Sequence, residues 1–307
     1  MLGAGDPASA RKHDFNDVEA NRGYAASGKL HSRELHPRER NSARGAAQRP
    51  PKTRPKSPAH NQAAPQKVLR SFNTWAFKRE QPDDPQLMLQ IIADAIGRRA
   101  PVPFVLYWGK GPRCGLAEPD IECLDFLTAF AARVREAHAP GATLRLIFTD
   151  THAELNGHPR ETIRRYFDEI EGAARQRGFE TCWLGELTQA AGAVPANELH
   201  DEVVPADTLR KLCASARKWY RGNGTAEQGA LNYYQINMVE KRAVELAFPR
   251  SIFITFNGSA FRSLFPKRLP IFYMHSLRRG VSVKPWFLPA HATPCEASSC
   301  RCGAVRH

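Results

Sequence analysis

The chain has 307 residues, 42% of them hydrophobic, and 44 Lys or Arg against 31 Asp or Glu give a formal net charge of +13. No run of about eighteen apolar residues occurs, so a membrane-spanning helix is not expected, and the N-terminus lacks the apolar segment of a secretory signal. A cytoplasmic location is the expectation, and the seven cysteines at 114, 123, 182, 213, 295, 300 and 302, odd in number and scattered, read as reduced thiols.

Residues 1–65 hold 12 Lys or Arg against 6 Asp or Glu, so +6 of the net charge lies there and +7 in the rest. This stretch is rich in Arg, Ala, Pro and Ser and ends in "QRPPKTRPKSPAHNQAAP". Such a composition buries too little apolar area to offset the entropy of ordering, and it is expected to be a disordered basic tail. From Gln66 to Pro289 the composition is that of one globular domain, and residues 290–307 read as a second, Cys-containing tail.

In chain order, "DDPQLMLQIIADAIGRRA" has apolar residues at helical spacing, Asp84-Pro85 as a start signal and Gly97 as a stop. "VPFVLYW" has the length of a buried strand, and "EPDIECLDFLTAFAARVREAHAPG" is a helix closed by Pro140-Gly141. "TLRLIFT" is the next strand, "HPRETIRRYFDEIEGAARQRG" a helix and "FETCWL" a third strand. Residues 186–204 read as turns. Helices are expected over 206–221 and 226–247, then strands in "RSIFITFNGS" and "PIFYMHSL". Strand and helix alternating through short connections predict an α/β, Rossmann-like fold, with a mostly parallel sheet and helices on both faces.

In such sheets ligands bind beyond the carboxyl ends of the strands, and three strands here run into polar loops. The first enters "WGKGPR", where two glycines, Lys110 and Arg113 suit a phosphate or carboxylate, although the loop has neither a Walker nor a dinucleotide spacing. The second enters "TDTHAELNGH". Asp150, His152 and Glu154 alternate, so an extended backbone would project them to one side as metal ligands or as acid and base. No further histidine completes a ligand set, and no metal is expected there. The late strand enters "NGSAFR", which offers Asn257 and Arg262. In the helix "ALNYYQINMVEKRAVELAF", Asn237, Glu240 and Lys241 lie within about a turn of one another, either as substrate contacts or as a salt-bridged surface. "HSLRRGVSVKPW" gathers Arg279 and Lys284 near a glycine turn, either to close over an anion or as a basic hairpin tip. The cluster of Cys295, Cys300 and Cys302 matches no common zinc spacing.

The succession "FVLYWGKGP", "CLDFLTAFAARVREAHAPGATLRLIFTD" and "GHPRETIRRYFDEI" resembles the isocyanide synthase family, also called the pyoverdine/dityrosine biosynthesis family. The resemblance covers about residues 66–177, and "FPRS" and "KPW" echo it later. It places Lys110, Arg133, Asp150 and Tyr166 at positions that match the family's motifs. Where that family follows its aspartate with glycine and an Arg-Val-Phe run, this chain has Thr151, His152, Ala153 and Glu154. The resemblance implies an enzyme of secondary metabolism that condenses an amino acid's amine with ribulose 5-phosphate to give an isonitrile, with no redox cofactor in that step. Lys110, Arg113 and Arg279 would cradle the sugar phosphate, Asp150 and His152 would move protons, and Lys284 would steady a carboxylate.

A fainter likeness links "TDTHAEL" and the basic surface to tRNA-dependent cyclodipeptide synthases. Those enzymes carry a nucleophilic serine after the first strand, where this chain has "WGKGPR". A third reading is a non-enzymatic RNA-binding protein led by its basic tail. The expected partners are therefore an amino acid and a sugar phosphate, with tRNA as the alternative, and neither a membrane nor DNA.

Overall fold

The computed structural model describes residues 59–109, 115–192 and 204–275 and the pairs 277–278 and 281–282. The chain divides into two units, Met1–Thr53 and Arg54–His307, and every described residue belongs to the second. Five strands, β1 Val102–Trp108, β2 Ala142–Phe148, β3 Glu180–Trp183, β4 Ile252–Thr255 and β5 Ile271–Tyr273, form one sheet in the order β3-β2-β1-β4-β5. All four pairings are parallel. A two-stranded antiparallel ribbon, β6 Leu277–Arg278 with β7 Val281–Ser282, stands where a basic hairpin tip was one of two readings.

The strand order reverses between β1 and β4. Connections on either side of that point leave in opposite directions, so their loops part and leave a crevice at the carboxyl edge. Helices cover both faces. The described ones are α1 Ala59–Phe72, α2 Pro85–Gly97, α3 Glu118–Ala137, α4 Asp150–Leu155, α5 Arg160–Gln176, α6 Leu184–Ala191, α7 Ala206–Trp219 and α8 Ala226–Ala247. Period-two alternation in β1 divides the core between the faces: Phe104, Leu106 and Trp108 pack with α1, α2, α3 and α5, while Val105 and Tyr107 pack with Leu184 of α6 and Val244 of α8.

Local signals explain most boundaries. Asp84 caps α2 by accepting from the Leu87 N–H at 3.0 Å, with Pro85 in the first turn. Four elements depart from expectation. The boundary expected at Gln66 falls inside α1, whose Val68, Leu69 and Phe72 are buried, and the Phe72 ring meets those of Phe104, Phe130 and Phe272 at 5.3–5.5 Å. Burial of that stripe holds the helix despite a polar, Pro-containing start. The remainder of the expected tail, and the tail expected at 290–307, lie outside the described residues.

Residues 150–155 form helix α4 where an extended run was expected, because the strand ends at Phe148 and His152 and Ala153 pack inward. Part of the segment read as turns is α6, and residues 259–264 form a 3₁₀ turn. Beyond the outer edge of β5, Arg79 N–H bonds Tyr273 O and Asp83 N–H bonds Ile271 O, so the chain after α1 covers that edge. Glu80 in this segment accepts from the Ser259 N–H at 3.0 Å and so fixes the loop that follows β4.

Candidate functional site

At the carboxyl edge, Gly109 after β1, Thr149 after β2 and Asn257 after β4 line one cavity with Tyr107, Phe253, Ile254, Thr255 and Phe265. Its volume is about 20 Å³, room for roughly one water molecule or one small polar group. Gly109 has φ of 61°, in the left-handed region that favours glycine. The Asn257 N–H donates to Thr255 Oγ1 at 3.1 Å, which orients the loop. Three loops far apart in sequence thus meet at the crevice predicted for them.

Lys110 and Arg113 follow Gly109 directly in the chain, but both lie outside the described residues, as do Arg279, Lys284 and the cluster of Cys295, Cys300 and Cys302. Asp150 opens α4 beside the cavity and is not among its lining residues. Its Oδ1 accepts from the Gly185 N–H at 3.0 Å, capping α6. A Cβ on Gly185 would lie 2.6 Å from Asp150 Oδ2, so the carboxylate occupies the space that a side chain would need. Burial raises the Asp150 carboxyl above its usual range, and the nearby Glu154 adds to the rise. Hydrogen bonds from the backbone N–H groups of Gly185, Thr151 and Asp150 itself act the other way.

The helical backbone corrects the reading in which Asp150, His152 and Glu154 share one side. Asp150 points to α6, His152 is buried against α8, and Glu154 is exposed and paired with Arg160 at 3.0 Å. A period of 3.6 in place of 2 spreads three alternate residues around the axis. After α4 the chain turns at Asn156-Gly157, with Gly157 at φ 76° and the Asn156 side chain accepting from the Tyr233 hydroxyl.

On α8, Asn237, Glu240 and Lys241 are all buried, so the alternative of a salt-bridged surface does not hold for them. The Asn237 amide donates to Tyr233 O at 2.6 Å. Lys241 Nζ donates to Ser263 O at 3.2 Å; burial lowers the ammonium's pKa first, Glu245 raises it and Arg262 lowers it again. Arg262 does not face the cavity's reactant space. Its fork holds Asp83 and the carbonyls of Phe265, Pro266 and Lys267, locking the loop after β4 to the start of α2.

Tyr107, which sequence reasoning passed over, and Glu240, which it left between substrate contact and salt-bridged surface, are both buried. The Tyr107 hydroxyl is buried without a hydrogen-bond partner, and burial, then the charges of Glu240 and Glu245, push its pKa well above the usual value. Glu240 has a side chain 1% exposed. Its Oε1 accepts from the Thr151 hydroxyl and lies 2.8 Å from His152 Nδ1, while Oε2 has no partner. The His152 approach satisfies an ion-pair distance but not the direction of a ring N–H bond, so both ring nitrogens lack a directed hydrogen bond. Each such orphan costs about 1–3 kcal/mol. The available signal was polar residues at 237, 240 and 241 on the same α8 stripe as Ala230, Tyr233 and Val244, where a core face should be apolar.

Of the positions matched by resemblance, Tyr166 is buried on α5. Its hydroxyl donates to buried Asp120 at 2.9 Å, and a Cβ on Gly109 would lie 3.9 Å from its oxygen. Arg133 lies in the later half of α3, which returns toward the opposite edge of the sheet, and pairs with Glu136 at 2.6 Å. Among the described residues no group of three or more His, Cys, Asp or Glu is placed to hold a metal ion, and no helix is long and apolar enough to cross a membrane.

The chain has a Rossmann-like α/β fold with a small cavity at the reversal of strand order. No family model and no curated protein matches the sequence. Among solved structures, the PvcA protein of Pseudomonas aeruginosa is similar with a TM-score of 0.53 and 17% identity, over 69% of this chain and 83% of PvcA. Weaker likenesses are the tyrosyl-tRNA synthetases of Pyrococcus horikoshii (TM-score 0.39, 14% identity, 72% of this chain and 58% of that one) and Leishmania major (0.43, 12%, 71% and 31%). The fold is thus shared with PvcA.

Proposed function

We propose that this chain is an isocyanide synthase-like enzyme that joins the amine of an amino acid to the carbonyl of a sugar phosphate, ribulose 5-phosphate being the co-substrate that the family resemblance implies. The observation that carries this reading is the meeting of Gly109, Thr149 and Asn257 at the strand-order reversal, in a fold shared with PvcA. The first step is imine formation. The amine nitrogen attacks the ketone carbon, its two protons pass in turn to the former carbonyl oxygen, and that oxygen departs as water as the C=N bond forms. A group that can take and return a proton serves both transfers. Asp150, at the rim with its pKa raised by burial, suits that role. Lys110 and Arg113, one and four positions beyond Gly109 in the sequence, supply cations for the phosphate.

The test is to incubate the full chain with amino acids, in one arm with ribulose 5-phosphate and in another with charged tRNA, and to identify products by mass. An isonitrile formed only with the sugar phosphate supports the proposal. A diketopiperazine formed only with charged tRNA replaces it with the cyclodipeptide synthase reading. RNA binding that survives loss of Asp150 and His152, with no product in either arm, favours the non-enzymatic one.

A further inference from the structure

A second opening lies at the other edge of the sheet, where β1 and β2 begin. It is a groove of about 550 Å³ between the last turns of α2 and α3 and the side of α1, and Lys67, Val68, Ile96, Arg99, Ala137 and His138 are among its lining residues. Small-molecule sites commonly enclose about 300–1,000 Å³. β1 and β2 run seven residues each from this edge to the carboxyl one. At the rise of a parallel strand that is about 23 Å, so the groove is separate from the crevice.

Arg99 holds a backbone conformation that its own side chain does not explain. It follows the cap of α2 at φ 53°, in the left-handed region. Its N–H bonds Ile96 O at 3.0 Å, and the N–H of Ala100 bonds Ala95 O at 2.9 Å. Helices that end in this turn usually place glycine at the left-handed position, because a Cβ crowds the following carbonyl there. Asp84, the other non-glycine residue with positive φ among the described residues, has a local reason, since its carboxylate caps α2. Arg99 has none: among the described residues its guanidinium makes no hydrogen bond or ion pair. The helix end does not call for it either, because the backbone donors already reach the last carbonyls and Arg98 Nε bonds Asp94 O at 3.2 Å.

The groove offers two kinds of contact. Val68, Ile96 and Ala137, buried or half-buried, supply apolar surface, while the exposed Lys67 and Arg99 supply positive charge. Lys67, like Arg99, is unpaired among the described residues, and no Asp or Glu lines the groove. His138 Nε2 lies 2.8 Å from Ala100 O, which occupies that nitrogen and fixes the ring. An ammonium brought here would meet two cations. A carboxylate or phosphate would meet the arginine's fork and the lysine's point charge, and an apolar body attached to it would cover the rest of the lining.

We propose that this groove binds a small amphiphile, an apolar chain whose anionic head, carboxylate or phosphate, is held by Lys67 and Arg99. The turn after α2 carries an arginine where glycine would serve the fold better, and the charge of the ligand is what that arginine answers. The proposal stands apart from the reaction assigned to the crevice and does not depend on it.

The experiment titrates the full chain by calorimetry with octanoate, octyl phosphate, octylamine and inorganic phosphate. Both octyl anions should bind, the tighter of the two identifying the head group. Octylamine should bind about 25-fold more weakly or worse, the loss of two exposed charge pairs, and inorganic phosphate more weakly than octyl phosphate. Affinity should rise up to about fourfold per methylene from hexanoate to octanoate. Lys67→Gln and Arg99→Gly should each weaken the anions about fivefold. Arg99→Gly should at the same time raise Tm by about 2–4 °C, because glycine takes the left-handed turn without strain. No binding of either anion, equal affinity for octylamine, or wild-type affinity in either variant overturns the proposal. So does a lower Tm in Arg99→Gly, which would make the arginine a structural part of the helix end.

Discussion

Replacing Gly185 by alanine tests the geometry around Asp150 through two opposing terms. Alanine in a helix is favoured over glycine by about 0.5–1 kcal/mol. Against this, the new Cβ would stand 2.6 Å from Asp150 Oδ2 and 3.4 Å from Cγ, so the carboxylate must rotate away and the cap from Gly185 N–H to Oδ1 is lost. Loss of such a cap costs about 0.5–2 kcal/mol. The net change is within about 1.5 kcal/mol of zero, so Gly185→Ala should fold. The displaced carboxyl should become better solvated, and its pKa should move back toward the usual value. Turnover in the amino acid and ribulose 5-phosphate assay should fall about 100-fold, the scale for a reacting group misplaced by roughly 1 Å. Urea unfolding at several pH values measures the first effect and product formation the second. A variant that is more stable by the full helix term, with wild-type pH dependence and wild-type turnover, would refute the argument that Gly185 holds Asp150 in place.

Asp150→Asn should keep the cap, because the amide oxygen still accepts from Gly185, yet abolish turnover. Because the native state holds the Asp150 proton to higher pH than the unfolded chain does, this group favours the fold below the usual aspartate value of 3.8. That contribution is lost as pH rises through the raised native value, so the variant's stability should fall less than the wild type's over that window in urea titrations. Tyr166→Phe removes the hydroxyl bonded to buried Asp120 and should cost about 1–3 kcal/mol in the same measurement; an unchanged midpoint would mean the bond adds nothing. Arg262→Ala should lower stability by about 1–2 kcal/mol while leaving amino-acid affinity within about twofold, since its donors hold Asp83 and loop carbonyls. A large affinity loss at unchanged stability would return Arg262 to the substrate.

Much of the fold was legible along the chain because its signals are local. Asp84-Pro85 and Gly97 bound α2, and "VPFVLYW" and "TLRLIFT" are buried-strand runs that coincide almost residue for residue with β1 and β2. Alternation of strand and helix then implies a parallel sheet, since each return crosses over through a helix. The loops that meet at the crevice follow from that topology, so Asn257 and the chain neighbours of Lys110 and Asp150 were placed on one rim by sequence alone.

What the sequence could not decide depends on contacts between distant segments. "DTHAEL" alternates like a strand, but helix α4 forms because His152 and Ala153 find a buried surface against the rest of the fold. Arg262 looks like a free cation until Asp83, 179 positions earlier, is brought to it. Glu240 and Lys241 read equally well as a solvated pair until α4 and the turn after β4 pack against them, and Tyr107 is only another aromatic in an apolar run until the charge of Glu240 acts on its hydroxyl. Periodicity and turn residues act within a few positions, and the chain by itself therefore determined its elements and their order. Burial and charge proximity are set by segments 35 to 179 residues apart in these contacts, and only the tertiary structure decided which polar groups are buried together.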